Sequence, residues 1–280
     1  MSATLPGLTP AQASLFLTLC GRALDSRAPQ PFLGDAAADD VLARIGYDCS
    51  RFPMPASSVT DIALRAKKLD RVVRRFVARH TDAVVLDLGA GLDSRMTRVA
   101  PPAGVDWYDI DYPEVIALRA EAVEPKPKAE TIATDLTEPG WLDAVPTARP
   151  AVIVADGLVA FLAQDAFVTL LHRLVDHFPS GEIAFNGYTR FHTWVLKRYR
   201  GTASIADVVT NPGFDDPRDP ERWEPRLRLA EEILLTREPE VAGYPPVIRL
   251  MTRLAARSTA LSRRGTTVLR YRFPSSRSAS

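Results

Sequence analysis

The chain lacks the residues that mark several function classes. It has two cysteines, Cys20 and Cys49, with no CxxC spacing. No disulfide scaffold is expected, and the pair reads as reduced thiols of a cytoplasmic protein. It has four histidines, and none stands at ligand spacing from the acidic pair Asp215 and Asp216, so no metal is expected. No apolar run is long enough to span a bilayer. The start has an apolar patch, but no basic region precedes it and Pro6 and Pro10 interrupt its approach, so no signal peptide is read there. Net charge is only +1, which provides no bulk attraction to nucleic acid or membrane. The arginines between Arg249 and Arg277 come without a nucleic-acid-binding motif. They read as a solvated face or as contacts to an anionic substrate. No internal repeat is present.

What is present is one globular domain with a regular alternation of elements. Residues 11–28, a short segment after 30 and residues 57–80 carry helical periodicity, the last with Ser58 or Thr60 as its cap. Short apolar runs at 83–88, 105–111, 129–136, 150–158 and 181–188 read as strands. Helices at 112–123, opened by Pro113, and at 163–178 lie between them. The alternation predicts a doubly wound, mostly parallel α/β sheet. Beyond Tyr188 the pattern loosens. A helix carrying Trp194, Leu196 and Tyr199 is followed by a proline-rich acidic loop. Residues 226–235 fit strand or helix, 245–265 read as one helix, and 266–273 as a last strand before a disordered tail.

The chemistry begins at VVLDLGAGLDSR, residues 84–95. In open α/β sheets the ligand sits beyond the carboxyl ends of the strands. Gly89 and Gly91 follow the first strand, and Asp109 and Asp111 end the next, at the distance where an acid grips ribose hydroxyls. A bare turn with no ligand is the bland alternative. A dinucleotide requires a third glycine for its pyrophosphate; here Leu92, Asp93 and Ser94 follow, and the acid would repel phosphate. S-adenosylmethionine has no phosphate, and its ammonium and sulfonium suit nearby acids. Asp87 reads as fixing the turn, and Asp93, Ser94 and Arg95 as the first turn of a helix.

LDLGAGLDSR, YDIDYP, TDLT and ADGLVAFL occur in an order and spacing that resembles the leucine carboxyl methyltransferase family. The similarity is to its bacterial branch, of the polyketide O-methyltransferase kind. RALDSRAPQPFLGDAAADDV and LRAKKLD extend it upstream. The resemblance implies that Arg65 binds the methionine carboxylate and that Gly89, Ala90 and Gly91 let the methionine portion lie on bare backbone. It implies ribose binding by Asp111 with Asp109 nearby, and adenine flanked by Asp135 and Leu136. Asp156 stands where the family has glutamate, a longer acid, near the ammonium. Arg22 corresponds to a basic residue near the donor carboxylate or an acidic substrate.

The implied domain plan is an N-terminal helical lid over residues 1–60, a donor-binding core over 61–188, a cap over 189–225 and final sheet elements over 226–273. Tyr188, His192, Trp194 and Tyr199 are the expected aromatic lining for an acceptor, although core packing explains them nearly as well. The expected activity is methyl transfer to a carboxylate, or an acidic hydroxyl, of a small natural product of polyketide type. No general base is evident; His192 and Tyr188 are the candidates. A donor-binding module without turnover and a nicotinamide oxidoreductase are the alternatives.

Overall fold

The computed structural model describes residues 8–51, 54–126, 128–198 and 205–274. Four helices lead in: α1 (Pro10–Ala13), α2 (Leu15–Ser26), α3 (Ala36–Ile45) and the long α4 (Ala56–Val77). Then β1 (Val84–Leu88), α5 (Arg95–Val99), β2 (Asp106–Asp111), α6 (Pro113–Ala122) and β3 (Ala129–Ala133) alternate. β4 (Ala151–Ala155), α7 (Gln164–His177) and β5 (Gly181–Gly187) complete the parallel part. α8 (Arg190–Leu196), α9 (Asp219–Trp223), β6 (Arg228–Leu234), α10 (Pro246–Ala256), α11 (Thr259–Ser262) and β7 (Thr267–Phe273) follow.

The seven strands form one sheet in the order β3-β2-β1-β4-β5-β7-β6. β1 to β5 pair in parallel, and β7 runs antiparallel to both β5 and β6. The strand period assigns the faces. Val85, Val152, Val154, Ala184 and Val268 pack with Leu69 and Val73 of α4. Leu86, Ile110, Ile153 and Phe185 pack with Leu171 and Leu174 of α7 on the other side. A fully buried leucine contributes about 1.5–3 kcal/mol by leaving water. That term outweighs the polar residues on the outer side of α4 and holds the helix flat on the sheet. α2 and α3 form a smaller apolar cluster with Leu92 and Ala122, and this brings the N-terminal helices over the carboxyl end of β1.

Residues 226–235, open between helix and strand in the sequence, contain an edge strand because β7 offers it a partner. The expected caps of α4 are corrected. Pro55 precedes its first turn, and Ser58 and Thr60 lie inside it. The expected single helix over 245–265 is two helices, because the Ser258 hydroxyl accepts from Leu261 N and starts α11.

The expectation of free thiols is overturned. Cys20 and Cys49 form a disulfide, with their Cα atoms 5.6 Å apart. Phe16 of α2 stacks on Tyr47 at 4.1 Å, which brings the 49–51 turn against that helix. No described helix is long and apolar enough to cross a membrane. Tyr199 and residues 275–280 lie outside the described residues.

Candidate active site

The sheet order reverses between β1 and β4, and a cavity of about 750 Å³ opens at their carboxyl ends. The turn after β1 forms its floor. Gly89 and Gly91 have φ of 64° and 50°, a left-handed conformation open to glycine. The amides of Gly89 and Ala90 donate to Ile110 O, which ties the turn to β2. A β-carbon on Gly89 would sit 3.1 Å from Leu158, so the surface here must stay bare backbone. Asp111, at the end of β2, accepts from Gly91 N on Oδ2 and from Tyr112 N on Oδ1, both at 2.8 Å. Burial lifts its pKa above the usual carboxylate value, against the pull of those two amides. Each oxygen retains a second acceptor direction beside the cavity.

Arg65 of α4 and Asp156, just after β4, meet on the opposite wall. Nε lies 2.7 Å from Oδ1, yet the N–H is misaligned, and both atoms are buried without a hydrogen bond. Burial opposes the Arg65 charge, but Asp156, then Tyr188 and Asp61, outweigh it and hold the guanidinium firmly protonated. The two opposite charges stand side by side at the cavity, a pattern that a zwitterionic ligand complements.

Beneath the turn lies a buried ion network that sequence reasoning read as an ordinary helix start. Arg95, 1% exposed, reaches Asp87 at 2.9 Å, Asp70 at 2.7 Å and Asp93 at 3.2 Å. Arg98 meets Asp93 at 2.6 Å, Asp70 at 2.7 Å and Asp35 at 2.9 Å. Arg22 of α2 pairs with Asp35 at 3.0 Å and donates to Leu92 O. Arg74 also reaches Asp70 at 4.0 Å, and Arg95 reaches Asp156 at 3.6 Å, which Arg65 holds, so five guanidiniums face five carboxylates and the network is balanced in formal charge. The cost of burial shows at Asp87. Burial pushes its pKa up to about 7 despite Arg95, with Asp93 and Asp109 adding repulsion. Asp87, Asp93, Arg95 and Arg22 all border the cavity.

The third wall is formed by Tyr188 and α8. Tyr188 and His192 pack edge to face at 5.1 Å. Burial lowers the His192 pKa; Asp61 opposes this, Arg65 adds to it, and a hydrogen bond to the Gly265 backbone opposes it. The ring is neutral at pH 7, and its buried Nδ1 has no hydrogen-bond partner. Burial likewise raises the Tyr188 pKa, so the phenol stays protonated.

Arg22, Arg65, Gly89, Ala90, Gly91 and Asp111 therefore border one cavity, together with Asp156, Tyr188 and His192. Four expected residues do not. Asp109 is turned to Arg119 and to Trp107 Nε1, where it braces β2 rather than a ligand. Asp135 is held by Thr137, whose amide and hydroxyl both donate to Oδ1, and Leu136 is buried in the core. Trp194 projects outward, and its neighbour Phe191 lines the cavity instead. Two lining residues were missed. Asp61 stands one helical turn before Arg65, a signal the sequence did offer, and it accepts from Thr266 Oγ1 at 2.9 Å. Arg264 was hidden in the basic C-terminal stretch. Among the described residues no cluster could hold a metal.

The comparisons agree with this geometry. Residues 16–175 match the leucine carboxyl methyltransferase family model. The tetracenomycin polyketide synthesis O-methyltransferase TcmP of Streptomyces glaucescens is 37% identical over 268 residues, covering 95% of this chain and 98% of the relative. The S-adenosyl-L-methionine-dependent methyltransferase dpfgK of Gibberella zeae is 32% identical over 251 residues, covering 81% and 83%. The fold is shared with a candidate methyltransferase from Thermobifida fusca, with a TM-score of 0.57 at 16% identity, over 98% of this chain and 100% of that one. The bare glycine turn, the acceptor Asp111 and the oppositely charged Arg65 and Asp156 at the cavity fit a donor that carries a sulfonium, an ammonium and a carboxylate. The chain belongs to the leucine carboxyl methyltransferase family and is an S-adenosylmethionine-dependent methyltransferase.

Proposed function

We propose that the enzyme methylates an oxygen of a small natural product of polyketide type, with a carboxylate as the acceptor. The unpaired Arg264 carries this reading. Asp111 and the Arg65–Asp156 ion pair border the end at the glycine turn, and Arg264, paired with no acid among the described residues, borders the cavity by the turn after α11, where Thr266 engages Asp61. The donor supplies a methyl group on a positively charged sulfur. In this reading Arg65 binds the donor carboxylate, Asp156 holds its ammonium, and Asp111 accepts from ribose hydroxyls. Residues 1–60 and 189–225 enclose the acceptor and exclude water. A carboxylate is ionised at neutral pH and requires no base, so the residues need only align it, and alignment alone can supply several kcal/mol. The chemical kinship with TcmP supports the acceptor class.

A second reading has one observation in its favour. The neutral His192, with a free buried Nδ1, can accept a proton from an acidic hydroxyl, whereas protonated Tyr188 cannot. Product chemistry separates the two. With radiolabelled donor and a panel of acids and phenols, label released as methanol by mild base means a methyl ester. Label that survives means an ether, which overturns the carboxylate reading and makes His192→Ala the next variant to assay.

A further inference from the structure

The mouth of the cavity carries an aromatic and cationic array that donor binding does not use. α8 presents Phe191 to the cavity and Trp194 to its outside. The two rings stack with centroids 6.0 Å apart and planes 22° from parallel. Arg264 lies over the Phe191 ring at 5.3 Å, and Arg198 lies over the Trp194 ring at 4.9 Å. Phe191 is 45% exposed and Trp194 51% exposed. Rings this open to water add little to the folded core, and a contiguous apolar patch at a pocket rim marks a contact surface. Among the described residues no carboxylate pairs with Arg198 or Arg264. The arginines under the glycine turn, by contrast, are all matched by acids.

We propose that Phe191, Trp194, Arg198 and Arg264 form an acceptor subsite that selects molecules by an aromatic face and negative charge. The ledge runs outward from the cavity wall, with Arg264 at its cavity end beside the acid group of the acceptor and Trp194 and Arg198 at its outer end. A planar ring system packs along the exposed parts of the two rings, and the guanidiniums, each already over one ring, meet its charge from the side. Ring stacking and cation–π contact favour such a molecule over an alkyl chain of equal charge, which has only area to offer. The residues act on recognition and not on the methyl transfer itself. The inference names the acceptor class for the activity proposed above and rests on that reading.

The test is titration calorimetry on the full chain saturated with S-adenosylhomocysteine, with 2-anthracenecarboxylate, 2-anthracenemethanol and decanoate as probes. Wild type should prefer 2-anthracenecarboxylate to both others. Trp194→Ala should weaken that probe by about three- to tenfold, leave decanoate unchanged, and be largely restored by Trp194→Phe. Arg264→Met should erase the preference for the acid over the alcohol. All three variants should bind S-adenosylhomocysteine like wild type, which reports an intact fold. Equal binding of decanoate and 2-anthracenecarboxylate by wild type, or unaltered affinity in Trp194→Ala, overturns the subsite. Selective loss in Trp194→Ala, with no methyl transfer to any acid, supports the subsite and overturns the carboxylate acceptor.

Discussion

Replacing Arg95 with methionine tests the buried network most directly. The side chain is 1% exposed and holds Asp70, Asp87 and Asp93 at 2.7, 2.9 and 3.2 Å. Methionine fills similar space, so packing loss is small, and the effect is that of stranding carboxylates. Breaking a buried pair by removing one partner destabilises by about 3–5 kcal/mol. In a domain of this size that lowers Tm by roughly 6–20 °C. The pH dependence has a definite sign. Asp87 has a folded pKa of about 7 against an ordinary 3.8. The stability this raised acid contributes is full below its unfolded value and is lost as pH rises through about 7. Without Arg95 its pKa climbs further, and a protonated carboxyl needs no cation. The variant's deficit should therefore be largest at pH 8 and shrink at pH 6. Scanning calorimetry at both values measures it, with Arg74→Ala as a control. Arg74 is half exposed and beside the same network, and its loss should be worth less than about 1 kcal/mol. A deficit under 1 kcal/mol for Arg95→Met, or one that grows on acidification, would refute the account of the network.

Three further outcomes are expected. Asp111→Ala removes acceptors held ready by two backbone amides, and hydrogen bonds to charged groups contribute about 1.5–3 kcal/mol. Calorimetry should then show S-adenosylhomocysteine binding at least tenfold weaker, and equal affinity rules out a ribose role. Arg65→Lys keeps the charge but loses the planar fork, so it should restore little of the donor affinity lost in Arg65→Ala; full restoration means Arg65 acts only as a point charge. Cys49→Ser opens a loop with a sequence separation of 29 residues and should cost roughly 2–4 kcal/mol by the chain-entropy estimate. Alkylation of denatured, unreduced wild type should find no free thiol, and two labelled cysteines would rule the bond out.

The central strands β1, β4 and β5 are legible in the sequence because each is a short run buried on both faces, whereas β2 and the half-exposed edge strand β3 are legible only from their places in the alternation. The glycine turn and Asp111 are legible because they sit at strand ends. Asp156 and Arg65 needed the family pattern, since a lone acid after a strand and one arginine among four on a helix say little by themselves. The ion network was not legible. Its members come from α2, the loop before α3, α4, β1 and α5, and only folding brings Asp35 and Asp70 to Arg98. Asp109 and Asp135 lie off the cavity lining, which the sequence could not show, because a carboxylate at a strand end can grip a neighbouring arginine or threonine as readily as a ligand. The disulfide left no trace because no spacing rule relates Cys20 to Cys49.

Arg22 has a consequence for how molecules come and go. It rides on α2, beside the donor end of the cavity, with its guanidinium locked to Asp35 and the Leu92 carbonyl. Swinging α2 aside would take one of the two guanidiniums from Asp35, leaving Arg98 alone to it, and would pull on the bond to Cys49. That wall is a hinge welded shut. The other side of the cavity is fastened differently. There α8 and the turn after α11 meet through the Arg264 guanidinium over the Phe191 ring and a hydrogen bond between His192 and the Gly265 backbone. A shift of α8 leaves the Arg22–Asp35 pair and the disulfide untouched, so that side can yield while the wall carrying Arg22 stays put.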